Sequence, residues 1–309
     1  MKKTIVLALI LLPVISLSAQ STGVEAASPI AGLLAWYGEI VWYMPVTICT
    51  VVFALGNLAA YTCSEKARPH KWMILLQGAL TGAFLGAIIH FSSFVPVVGK
   101  ILQEILINYN SGEVVVGLVG TLLGIFNHGW VGIRKGAKLF LGNFYVDERH
   151  FIKGILQGVS RHTWEMPQSL IGMAYSQWRN AFCGVTRIDF IGGITYITTE
   201  GARHYMGVTL GSCINIWVPF KIKKYFENYI VNDTLLMHEF GHTVQSRRWG
   251  PFYLFVIGIP SVISQLFELW GWFRHRHDDL YAERWANRNT KRYFTQNYDV
   301  DWRGKDLKV

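Results

Sequence analysis

Two histidines and a glutamate lie within one helical turn of each other in a segment suited to metal binding. Residues 238–242 have the sequence His-Glu-Phe-Gly-His. Because four residues make about one turn of an α-helix, His238 and His242 project from the same face and can bind one Zn²⁺ at roughly 2.0–2.1 Å. Glu239 lies too far round the helix to be a ligand, but it can take a proton from a zinc-bound water. The spacing predicts zinc-dependent hydrolysis.

The residues around this motif predict one helix that begins and ends close to it. Asn232 or Asp233 can cap the N-terminus, because short polar side chains accept hydrogen bonds from the first amides of a helix. Arg247 and Arg248 suit the negative end of the helix dipole, and Gly250-Pro251 can end the helix.

The motif resembles the active-site helix of the zincin metallopeptidases. In that superfamily a β-sheet precedes the helix, and an edge strand of the sheet pairs with an extended substrate. The metzincin pattern requires Gly and His where this chain has Gln245 and Arg248, so that subtype is excluded. Gluzincins take a third ligand, Glu, from a second helix, often within Glu-x-x-Ala-Asn, and this chain has Glu283, Ala286 and Asn287 at those positions.

The spacing within this second helix agrees with the resemblance. Glu283 and Asn287 lie four residues apart on one face, so one can bind metal while the other fixes the tautomer of a ligating imidazole. Ala286 is small enough to let the two helices pack closely. The resemblance covers about residues 185–295 and implies a gluzincin-type zinc metalloendopeptidase. Its implied zinc ligands are His238, His242 and Glu283, with Glu239 as the general base.

Other nearby residues compete for a role in the same site. Glu268 is an alternative third ligand, and so is His277, since imidazoles bind zinc well. His277 or Tyr281 could instead donate a hydrogen bond to a developing oxyanion. The run 275–279 could also be only a polar loop that caps the following helix.

The composition predicts a membrane-embedded part. Charged residues make up 16% of the 309 residues, against roughly 25% in average soluble domains, and hydrophobic residues make up 51%. The excess of Lys+Arg, 29 against 20 Asp+Glu, favours cytoplasmic loops or contact with anionic headgroups over nucleic-acid binding. The four cysteines form no Cys-x-x-Cys pair, so no disulfide framework or thiol-metal site is indicated.

The N-terminal region predicts an export signal followed by membrane helices. Residues 1–20 combine Lys2 and Lys3 with an apolar run and small residues near its end, as signal peptides do. Residues 41–62 and 72–98 are each long and apolar enough to cross a bilayer.

A further apolar run, residues 114–133, is interrupted by Asn127-His128. It could be a short third span or a re-entrant segment, so the membrane region, residues 21–136, has two or three spans. The count decides on which side of the membrane the catalytic domain lies. The positive-inside rule favours three spans and a position of the catalytic domain inside the membrane-bounded compartment.

Three glycines recur every four residues in the second span: Gly78, Gly82 and Gly86. Small residues at this spacing line one face of a helix and allow the backbone of another helix to approach. The pattern predicts helix packing within the chain or self-association between chains.

Residues 137–309 predict an α+β domain. Residues 187–191 and 194–198 flank Gly192-Gly193, which is typical of a tight hairpin. Residues 208–218 predict a third strand. Residues 207–216 are the candidate edge strand, because this is the last strand-like run before the motif. The expected fold is therefore membrane helices followed by a zincin-like domain, with a small antiparallel sheet, an active-site helix and a third-ligand helix.

Residues 250–260 join the two ligand-bearing helices and contain many large apolar side chains. They could line a substrate pocket, dip into the bilayer, or form a buried core segment.

These patterns together predict an integral protein of a bacterial inner membrane that hydrolyses peptide bonds with Zn²⁺. The expected partners are a peptide or protein substrate and the lipid bilayer, with no nucleic acid. The alternative is a catalytically inactive zincin-like membrane scaffold or interaction protein.

Overall fold

The structure, a computed structural model, describes residues 44–64, 71–92, 94–223, 225–270, 277–303 and 305. The predicted signal peptide, the start of the first predicted span and His275 lie outside these residues.

Within the described residues, three helical segments are long and apolar enough to cross a membrane. They are α1 (Met44–Thr62), α2 (Lys71–Ser92) and α3 (Val98–Leu123), the last continued by α4 (Ile125–His128). The third begins well before residue 114, where the apolar run in the sequence begins. Polar residues before residue 114 mask this start, and one of them, Glu113, is buried against the imidazole of His162 at 3.0 Å.

The glycine face of α2 packs against α1 of the same chain. A Cβ added to Gly78 or Gly82 would lie 2.5 or 2.1 Å from a carbonyl oxygen of α1, and one on Gly86 would lie 2.5 Å from the Cα of Val46. The small-residue face therefore allows close packing within the chain. Self-association through these glycines stays a prediction.

Three helices lead from the apolar segments to a four-stranded sheet. The helices are α5 (Trp130–Leu141), α6 (Phe151–Arg161) and α7 (Met166–Phe182). The strands are β1 (Arg187–Ile191), β2 (Ile194–Glu200), β3 (Met206–Leu210) and β4 (Cys213–Val218), in the spatial order β1-β2-β4-β3. The predicted boundary between residues 136 and 137 lies inside α5, and the division into domains stays a prediction.

The predicted hairpin is confirmed, but the sheet is mixed rather than antiparallel. Gly192 and Gly193 have φ of 58° and 76°, as a primed turn requires, and β1 pairs antiparallel with β2. The single predicted strand at 208–218 was wrong, because a turn at Gly211 divides it into β3 and β4. The chain crosses from β2 to the edge as β3 and returns as β4, which therefore pairs parallel with β2.

The remaining helices carry the candidate site. They are α8 (Phe226–Ile230), α9 (Thr234–Trp249), a 3₁₀ turn (Gly250–Phe252), a π-helical turn (Leu254–Gly258), α10 (Ile259–Leu269), a 3₁₀ turn (His277–Asp279) and α11 (Tyr281–Tyr298).

The sheet lies between these helices and the N-terminal ones. Side chains alternate along a strand, so neighbours face opposite sides. Tyr196 and Ile214 belong to a core cluster with Phe240 of α9 and Phe294 of α11. On the other face, Ile197 and Cys213 belong to a cluster with Ala60, Tyr61 and Ile74 of α1 and α2.

Candidate metal centre

Helix α9 has the boundaries that its terminal residues predict. The side chain of Asp233 accepts a hydrogen bond from the amide of Leu236 at 3.1 Å, so Asp233 is the N-cap of the two candidates. The helix ends at Trp249, and Gly250 follows with φ of 50°. These boundaries keep the whole His-Glu-Phe-Gly-His motif on regular helix.

Close packing of α9 against α11 brings the motif to the second helix. A Cβ on Gly241 would lie 2.1 Å from the carbonyl oxygen of Ala286, so only glycine fits at this crossing. The hydroxyl of Thr290 donates to the carbonyl of Met237 at 2.7 Å beside it. The sequence identified Ala286 as the small residue, and the structure shows that Gly241 is its partner.

His238, His242 and Glu283 each bring one potential ligand atom to this crossing. The two histidine Nε2 atoms are 3.2 Å apart. Glu283 Oε2 lies 3.0 Å from His238 Nε2 and 3.1 Å from His242 Nε2. Three ligands at 2.0–2.1 Å from a tetrahedral zinc would be about 3.3 Å from one another. The donor set and its spacing therefore fit a divalent metal ion.

Amide side chains orient both imidazoles. His238 Nδ1 lies 2.6 Å from Asn287 Oδ1, and His242 Nδ1 lies 2.7 Å from Gln245 Oε1. An amide oxygen can only accept, so each Nδ1 carries the proton and each Nε2 is left free to bind metal. Gln245 in turn donates to the carbonyl of Ala282 at 2.6 Å, which fixes its amide.

Asn287 thus lies where the Glu283–Asn287 spacing predicts it. Gln245, by contrast, was overlooked as a contributor to the site. The available signal was its position three residues after His242 on the same helix, which places the two side chains side by side.

The carboxylate of Glu283 uses its two oxygens differently. Oε2 faces the imidazoles, whereas Oε1 accepts a hydrogen bond from the hydroxyl of Ser261 at 2.6 Å and lies 3.6 Å from His277 Nε2. Burial alone would raise the pKa of Glu283, but the adjacent imidazoles of His242 and His238 hold this pKa well below its usual value. The carboxylate of Glu283 is therefore ionised.

Glu239 lies against the edge strand β3. The hydroxyl of Thr209 donates to Glu239 Oε2 at 2.5 Å, and its oxygen lies 3.1 Å from the carbonyl oxygen of Glu239. A Cβ on Gly207 would lie 2.4 Å from Glu239 Oε1, so the glycine leaves room for the carboxylate. Residues 207 and 209 face the same side of the strand, and together they set the position of Glu239.

The other predicted site residues lie at the margin of the centre or outside it. The imidazole of His277 lies at the margin, near the outer oxygen of Glu283. Glu268 lies outside the centre, and its Oε2 accepts a hydrogen bond from the His277 amide at 2.6 Å. The hydroxyl of Tyr281 donates to the carbonyl of Val256. Of the competing carboxylates, Glu283 is the one that meets the two imidazoles.

The centre opens into a cleft of about 600 Å³. All of β3 forms one wall, and the π-helical turn and α10 contribute another. Tyr253, which the sequence did not single out, is buried and lines the cleft. Because His238, His242 and Glu283 also line it, a further metal ligand could enter from this cleft.

Comparison of the chain with known protein families, curated proteins and solved structures found no match.

Proposed function

We propose that this chain is a membrane-anchored zinc metalloendopeptidase of gluzincin type. The observation that carries the proposal is the convergence of His238, His242 and Glu283, which line one cleft with donor atoms 3.0–3.2 Å apart. The three apolar helical segments support anchorage in a membrane.

Bound zinc would act as a Lewis acid on a peptide carbonyl and make a water molecule more acidic. Glu239, held by Thr209 next to the ligands, would accept the proton of the attacking water and pass it to the leaving amine. Asn287 and Gln245 would keep the two imidazoles in the tautomer that binds metal.

The edge position of β3 supports a peptide as the substrate. In the described residues β3 pairs with β4 on one side only, and its whole length borders the cleft. An extended peptide could add to this free edge through main-chain hydrogen bonds, which would place its backbone beside Glu239.

Three forms of the purified full-length chain test the assignment by metal content and by cleavage of a peptide library. The wild type should carry one zinc and cleave. Glu239→Gln should keep zinc but lose cleavage, because only the proton acceptor is removed. Glu283→Ala should lose both.

Cleavage by Glu239→Gln, or unchanged zinc in Glu283→Ala, would contradict the proposal. Stoichiometric zinc in the wild type without cleavage of any peptide would instead support the inactive scaffold.

A further inference from the structure

The chain turns sharply after α9 and presents an apolar face to the outside. Thr234–Phe252 and Leu254–Glu268 are together apolar enough to form a span, but they are bent by 119°, as in a broken span or a re-entrant loop. Six large apolar side chains of this region are exposed, and we call them the α10 apolar face: Phe252, Phe255, Ile259, Val262, Ile263 and Leu266.

Phe252 lies at the end of the first arm of the bend, and the other five side chains lie on the second arm. From Phe255 to Leu266 their positions follow steps of three and four residues, the period of a helix face. Phe255 is 70% and Val262 56% exposed. A contiguous exposed patch of this kind marks a surface that contacts a membrane or another protein.

Other side chains of the same segment contact the candidate metal centre or the helix that carries Glu283. Ser261 donates to Glu283, and Tyr253 and Ile257 are buried in a cluster with Ala282 of α11. These contacts fix the position of the segment against α11.

Charge distribution favours a bilayer as the occupant. Between residues 249 and 270 the only charged side chain is Glu268, and its carboxylate accepts a hydrogen bond from the His277 amide. Arg248 precedes this stretch, and Arg274 and Arg276 follow it in the sequence. Basic residues at both ends of an apolar stretch suit anionic headgroups on the side where a re-entrant segment enters and leaves.

Aromatic and backbone features agree with that environment. Trp270, at the end of α10, is 60% exposed, and tryptophan prefers the headgroup level of a membrane.

The 3₁₀ and π-helical turns keep backbone donors bonded, since the amides of Tyr253 and Ile259 donate to the carbonyls of Gly250 and Leu254. Bonded backbone is required wherever a segment enters hydrocarbon.

We propose that the α10 apolar face inserts into an anionic lipid bilayer as a re-entrant element. Ile259, Val262 and Ile263 belong to this face and also line the cleft, so the cleft opens at the membrane surface. The proposal concerns contact with lipid and does not depend on hydrolysis or on bound zinc.

Depth-dependent quenching tests the proposal on the full-length chain in nanodiscs of phosphatidylcholine and phosphatidylglycerol. Single cysteines replace Phe255 or Val262 in a background with Cys63→Ser and Cys183→Ser, the two exposed native thiols. Each cysteine carries an environment-sensitive dye. The matched control is Gln296→Cys, an exposed position on α11, and the background protein gives the blank.

Nitroxide-labelled lipid should quench the dyes at 255 and 262 several-fold more strongly than the dye at 296, whereas aqueous iodide should show the reverse order. The proposal is overturned if iodide reaches 255 and 262 as readily as 296, which would leave the face free for a protein or peptide. Equal melting temperatures of the labelled variants ensure that the comparison reports location.

Discussion

The candidate ligands depend on neighbouring side chains for their orientation. Each imidazole has an amide oxygen at Nδ1, and Glu283 has the Ser261 hydroxyl on its outer oxygen. Such contacts fix the direction of a ligand before metal arrives, so their loss should weaken metal binding without removing a ligand.

Replacing Gln245 by Leu tests this at His242. The change removes the acceptor at Nδ1, and we expect zinc affinity to fall by about 10- to 100-fold, the usual effect of losing such a partner. Competition with a chelating dye measures the affinity. Gln296→Leu, at an exposed position on α11, is the control, and equal affinities of the two variants would argue against the orienting role.

Thr209 provides a second prediction at the residue scale. Thr209→Val removes the hydroxyl that holds Glu239 Oε2, and Thr209→Ser keeps it. General-base catalysis contributes typically 10²–10⁴-fold, so a misplaced carboxylate should lower kcat by about tenfold or more, with zinc content unchanged. If valine and serine at this position gave the same kcat, the hydroxyl would have no part in positioning Glu239.

At the scale of elements, the crossing of α9 and α11 decides whether the ligands meet. Gly241 allows the approach because its hydrogen faces the Ala286 carbonyl. His238 and His242 come from one helix and Glu283 from the other, so the distance between the helices sets the distances between the ligand atoms.

Gly241→Ala should therefore reduce both stability and zinc affinity. Overpacking of this kind costs about 1–3 kcal/mol of unfolding free energy, and the separated helices would carry Glu283 away from the imidazoles. Thermal unfolding and zinc titration measure the two effects. Gly258→Ala is the matched control, because a Cβ there would meet no atom closer than 3.7 Å. Tight zinc binding by Gly241→Ala would show that the crossing tolerates a wider spacing.

At the scale of the whole molecule, the sheet joins the site to the apolar helices. One face packs on α9 and α11 and the other on α1 and α2, so the candidate centre and the N-terminal helices share a continuous interior. A metal that holds α9 to α11 should consequently stabilise the chain as a whole.

Removal of metal should lower the melting temperature of the full-length chain. Binding to the folded state alone contributes about 2.7 kcal/mol at a free zinc concentration 100 times Kd. A chelator should abolish this gain in the wild type and have no effect on Glu283→Ala, which lacks one of the three candidate ligands. An identical loss of stability in both proteins would mean that the stabilising metal lies elsewhere.

Local spacing predicts part of the candidate site and part of the fold. The histidine pair, the start of α9 at Asn232 or Asp233, the Gly192-Gly193 hairpin and the pairing of Glu283 with Asn287 all depend on residues within a turn or two of one another. Helical and strand periods place such residues together whatever the rest of the chain does.

Only the tertiary structure decided the contacts between distant segments. Thr209 and Gly207 reach Glu239 from another element, Ser261 reaches Glu283 from α10, and β4 lies between β2 and β3 against the order of the chain. No helical or strand period in the sequence predicts these contacts, because they arise from how distant elements pack against one another. The predicted start of the third apolar helix was wrong for the same reason. The sequence around Glu113 does not show that this carboxylate is buried against His162.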